Sequence, residues 1–128
     1  MKILQIVKYY DPCQGGMESV VKNLVEGVVD CSDEINFTVY SNNHVKSFTR
    51  VKKIFGKIIV LKEITPLFLK SQPLNLRYPA LKKLIAENDI IHHHYPFPTM
   101  EVSLLRYLKK CQNKKLIITW HANIKNSR

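Results

Sequence analysis

Short apolar runs alternate along this chain with segments whose apolar residues recur at helical spacing, and this alternation constrains the fold most. Residues 3–7 read as a strand buried on both faces, followed by a loop over 9–16 with Asp11, Pro12 and the Gly15-Gly16 pair. Met17, Val20, Val21, Leu24, Val25 and Val28 then mark an amphipathic helix of about three turns. Residues 37–40 and 57–64 read as strands, with strand-like character also over 51–55. Pro79 opens a helix with Leu81, Leu84 and Ile85 on one face, and residues 89–94 form a strand ending in polar side chains. Thr99 is the expected N-cap of a helix carrying Leu104, Leu105 and Leu108, and residues 116–120 form a last strand ending at His121. The series predicts an α/β fold: a Rossmann-like, doubly wound, mostly parallel sheet with helices on both faces. Such sheets bind ligands outside the carboxyl ends of their strands. The 128 residues are expected to make one such domain, and the polar finish at residues 126–128 reads as truncation.

The cysteines Cys13, Cys31 and Cys111 are odd in number and widely spaced, which fits a reducing cytosol better than a disulfide scaffold or structural zinc site. No apolar stretch reaches the roughly eighteen residues needed to cross a bilayer, and the N-terminal apolar run is too short for a signal peptide. A cytoplasmic protein, soluble or peripheral on the inner face of the plasma membrane, is expected.

Net charge is +10, and no acidic residue occurs between Ile35 and Lys62 or after Glu101. Such a field suits polyanions, whether nucleotide phosphates, anionic lipid headgroups or nucleic acid, and equally a solvated soluble face. Nucleic acid is the weakest of these, since no helix-turn-helix, RNA-binding signature or basic patch interleaved with aromatics is present.

Candidate chemistry gathers at three strand ends. Gly15 and Gly16 let backbone amides approach a ligand at a helix N-terminus, or simply make a tight turn. The residues match neither a dinucleotide fingerprint nor a phosphate-binding Walker loop. Glu18 in the first helical turn either offsets the helix dipole or hydrogen-bonds to a sugar hydroxyl or a neighbouring loop. The run His92, His93 and His94 invites a metal, but alternation along a strand sends His93 to the opposite face and no carboxylate or cysteine completes a set. His94 could present its ring to a cleft, and His121 could serve as acid, base or orienting donor or as a solvent-capped strand end.

Together these segments resemble a known family. "KILQIVKYYDPCQGGMESVVKNLVEGV", "DIIHHHYPFP" and "LIITWHANI" resemble, in order and spacing, three segments of the retaining GT-B glycosyltransferases of family four. The resemblance implies an N-terminal acceptor-side domain, with Gly15 and Gly16 facing the diphosphate of a nucleoside diphosphate sugar. It suggests His121 as the catalytic or substrate-contacting residue and His94 as a second residue lining the cleft. It also implies hexose transfer to a glycan or lipid-linked acceptor in cell-envelope polysaccharide synthesis, with no cofactor and no obligatory metal. The family's donor-binding domain and its glutamate pair have no counterpart here. The expected partners are therefore a missing C-terminal domain or separate donor-domain subunit, the two substrates and an anionic membrane surface. By itself the chain is expected to be inactive. The alternatives are a non-catalytic sugar- or nucleotide-binding module and one subunit of a split enzyme.

Overall fold

The computed structural model describes residues 1–11, 15–69, 72–73, 75, 78–97, 99–110 and 113–121. The elements run β1 (Lys2–Ile6), α1 (Gly16–Cys31), β2 (Asn36–Asn42), β3 (Val51–Phe55), β4 (Ile58–Glu63), β5 (Phe68–Leu69), β6 (Gln72–Pro73), α2 (Leu81–Glu87), β7 (Ile90–Tyr95), α3 (Met100–Leu108) and β8 (Lys115–Trp120). Cys13, Cys111, Pro12, Pro98 and the residues after His121 lie outside the described set.

Six of these strands form one sheet in the order β3-β4-β2-β1-β7-β8. All neighbours pair in parallel except β3, which runs antiparallel to β4 at one edge. That exception follows from the connection: Gly56 takes a positive φ of 59°, so the chain reverses there over Gly56 and Lys57 and lays β3 beside β4 as a hairpin. The helical crossovers between parallel strands lie on opposite sides of the sheet. One buried cluster joins Val21 and Val25 of α1 to Phe37, Val39, Ile58 and Val60. The second joins Leu81, Leu84 and Ile85 of α2 and Met100 and Leu104 of α3 to Leu4, Ile6, Tyr40 and Ile91. Side chains alternate along each strand, so Ile3 leans toward the first cluster and Leu4 belongs to the second. The architecture is the Rossmann-like, mostly parallel sheet that the pattern predicted. Chain order reverses at β1, whose neighbours β2 and β7 lead away in opposite directions. Open α/β sheets bind their ligands at such a point.

Three details depart from the expectations. Helix α1 has 16 residues, more than the predicted three turns, and its apolar stripe is only partly covered. Val21 and Val25 are buried, whereas Val20 and Leu24 stay exposed. In α3, Leu104 is buried and Leu108 packs against the core, but Leu105 is 61% exposed. Thr99 precedes α3 but does not cap it with its side chain. Its backbone is left-handed, with φ 71°, and its hydroxyl lies 3.1 Å from the Tyr78 hydroxyl. That pairing turns the group toward a buried tyrosine rather than the first amides of the helix. The acid in the first turn of α3, Glu101, contacts His93 and the Phe97 amide.

Candidate functional site

The parallel register carries Gln5 of β1, His92 and His94 of β7 and Thr119 of β8 onto one face at the carboxyl edge of the sheet. Gln5 stands opposite His92, and His94 opposite Thr119. This is the face α1 covers, since Gln5 alternates with Leu4 and Ile6 of the opposite cluster. Just past the end of β8, His121 is tied back by its amide, which donates to the Tyr95 carbonyl at 2.8 Å.

These groups form one chain of contacts. His94 Nε2 lies 2.6 Å from Gln5 Oε1, and His94 Nδ1 lies 2.8 Å from His121 Nε2. The His92 ring tilts over His94 with centroids 4.1 Å apart, and its Nε2 is 2.6 Å from the Thr119 hydroxyl. His94 has no exposed surface, so burial drives its pKa down to about 3, and the neighbouring histidines add to the effect. Burial likewise lowers His92 and, less enclosed, His121. For His121 the Glu18 carboxylate opposes that shift, which brings the first turn of α1 within electrostatic reach of the strand-end histidine.

His93 points the other way, as strand alternation requires. Its Nε2 meets Glu101 Oε2 of α3 at 2.5 Å, and the same oxygen accepts the Phe97 amide at 3.1 Å. The carboxylate of Glu101 therefore holds the turn after β7 to the helix that follows it. Among the described residues no group of three histidine, cysteine or acidic side chains is arranged to hold a metal.

The glycines differ from each other. A Cβ on Gly15 would overlap the Glu18 carboxylate, which folds back over the N-cap, whereas Gly16 has open space around it. Gly15 thus makes room for Glu18, and its extended backbone is one any residue can adopt. The structure brings Glu18 and His121 to the same edge of the sheet and sets His94 one ring behind His121. His94, expected to line the cleft, is instead wholly enclosed, with its Nδ1 against His121.

Sequence reasoning passed over a second polar centre at the same edge. Glu63, at the end of β4, is 2% exposed, accepts from the Tyr40 hydroxyl at 2.5 Å and pairs with Arg50 at 2.6 Å. Asn75 donates to Asn42 Oδ1 at 2.9 Å and to the Ile64 carbonyl at 2.7 Å. Lys62 Nζ donates to the Asp11 carbonyl, fastening the loop after β1 to the end of β4. The available signal was polar residues closing apolar strands: Ser41-Asn42 after Val39 and Tyr40, and Lys62-Glu63 after Val60 and Leu61. A cavity of about 260 Å³ lies instead at the amino ends of the strands, lined by Lys2, Asn36, Gly56 and Asn88. It contains none of the histidines, and the topology favours the carboxyl edge.

No family model matches the chain. Over 128 residues it is 25% identical to O-antigen chain mannosyltransferase C of Escherichia coli. The alignment takes in 97% of this chain and 32% of that protein, so the chain spans about a third of the relative's length.

Proposed function

We propose that this chain is the acceptor-side part of a glycosyltransferase that builds an envelope polysaccharide, with its substrate edge at His121. Relatedness to a mannosyltransferase of O-antigen synthesis supports a sugar-transfer role. The observation that carries the site is the contact of His121 with the buried His94 at the carboxyl edge of β7 and β8, with Glu18 within electrostatic reach. The finer reading is a retaining GT-B enzyme of family four acting on a nucleoside diphosphate hexose without cofactor or obligatory metal. In it Gly15 and Gly16 open toward the donor diphosphate at the N-terminus of α1, and His121 meets the sugar being moved. Glu18 and His121 offer a carboxylate and an imidazole to hydroxyl groups, the commonest functional group of a carbohydrate.

Transfer also needs a donor held against the acceptor in reactive geometry, and positioning supplies much of the rate. The donor-binding part would come from further polypeptide. Ile117, Ile118 and Trp120, 47%, 58% and 62% exposed on β8, support completion by additional structure along that strand. Among the described residues, no helix is long and apolar enough to cross a membrane. The lysines and arginine of residues 106–115 are proposed to rest on anionic lipid at the inner surface of the plasma membrane.

The test pairs binding with turnover. Saturation-transfer NMR on residues 1–128, with mannosides and a panel of nucleoside diphosphate hexoses, is expected to show saturable binding that His121→Ala weakens at least tenfold. The same preparation is expected to transfer no labelled sugar. Binding indifferent to His121→Ala would contradict the site, and sustained transfer would contradict the need for a donor-binding part.

A further inference from the structure

We infer that Gln5 and His94 are positioning residues that set the tautomer of His121, so that the neutral ring keeps its hydrogen on Nε2 and offers Nδ1 as a lone-pair acceptor. Each hydrogen along the buried chain fixes the next. A glutamine carbonyl oxygen can only accept, so the 2.6 Å contact between Gln5 Oε1 and His94 Nε2 requires the hydrogen on His94 Nε2. A neutral imidazole carries one N–H, which makes His94 Nδ1 an acceptor. The 2.8 Å contact from His94 Nδ1 to His121 Nε2 must then be donated by His121. The neutral His121 ring has spent its hydrogen, and among the described residues its Nδ1 has no hydrogen-bond partner.

Each step is held in place. Gln5 is 1% exposed and His94 is fully enclosed, so water does not compete for the bond between them. The His92 ring packs over His94 and is itself fixed by the Thr119 hydroxyl, which stops the His94 imidazole from turning over. Enclosure also keeps His94 uncharged, with its pKa held near 3, as the one-hydrogen count requires. Gln5 is the unexpected member: it interrupts the apolar run Ile3, Leu4, Ile6, Val7 of the central strand, where a polar side chain costs stability unless it is bonded.

The consequence is a directional site. His121 Nδ1 accepts a hydrogen bond, so the group it selects is a donor such as a hydroxyl rather than a phosphate or carbonyl oxygen. The choice of ligand rests on the sugar-transfer reading; the tautomer does not. Metal-ligating histidines depend on the same kind of second partner to fix which nitrogen is presented.

Imidazole nitrogens of the ¹⁵N-labelled 128-residue chain, followed through their long-range couplings to the ring protons at pH 7.5, read the tautomer directly. His94 and His121 are expected as single Nε2–H tautomers. In Gln5→Met the fixed acceptor is lost and His121 is expected to become a mixture of the two tautomers. An Nδ1–H tautomer of His121 in the wild-type chain overturns the inference, and this measurement needs no variant to fold. An unchanged single tautomer in folded Gln5→Met overturns it as well. Failure of sugars to bind a chain with the expected tautomers would sink the sugar-transfer reading and leave the relay intact.

Discussion

A histidine folded away from water must be neutral there, and that requirement ties His94 to the acid stability of the chain. Its pKa is about 3 when folded against an ordinary 6.5, so below about pH 6.5 the unfolded chain takes up a proton the folded chain refuses. Stability contributed by this residue is complete above about 6.5 and is lost as pH falls toward 3. The midpoint of thermal unfolding is therefore expected to drop between pH 7.5 and pH 5. Denaturant unfolding at closely spaced pH values should show that His94→Asn, although less stable at pH 7.5, takes up about one proton fewer on unfolding near pH 5. An unchanged proton uptake would mean that His94 is already free to ionise in the folded chain. The sequence identified both histidines by their place at strand ends, and alternation correctly separated His93 from its neighbours. It left Gln5 unmarked, because only the pairing of β1 with β7 shows that a glutamine in an apolar run has a histidine to meet.

Among the elements, α1 shows what periodicity reveals and what it leaves out. Its apolar spacing announced a helix, but spacing cannot say how much of the stripe the sheet will cover, and Val20 and Leu24 remain outside the core. Gly27 lies within this helix, exposed, with open space where a Cβ would go. A mid-helix glycine costs backbone entropy that alanine does not. Gly27→Ala is therefore expected to stabilise the chain by about 0.5–1 kcal/mol in urea unfolding, with the histidine contacts unaltered. A loss of stability would mean that α1 is not helical through that position. Strand boundaries were legible to within a residue or two. The short β5–β6 pairing was not, because two-residue strands carry no readable period.

Across the whole molecule, alternation of strands and helices gave the layer architecture, while the antiparallel place of β3 depended on a turn that only the three-dimensional pairing settles. The carboxyl edge collects residues from five separated stretches, namely Gln5, Glu18, Glu63, His94 and the pair Thr119 and His121, so no local motif could reveal it in full. The role proposed for this edge is to handle sugar. The most direct measurement follows the ¹³C- and ¹⁵N-labelled chain by NMR during titration with mannosides and nucleoside diphosphate hexoses. Saturable shifts are expected for the His121 ring and for amides in residues 15–18 and 119–121, with the groove at Lys2, Asn36 and Asn88 unmoved. Shifts confined to that groove, or none at this edge with any sugar or nucleotide sugar, would contradict it.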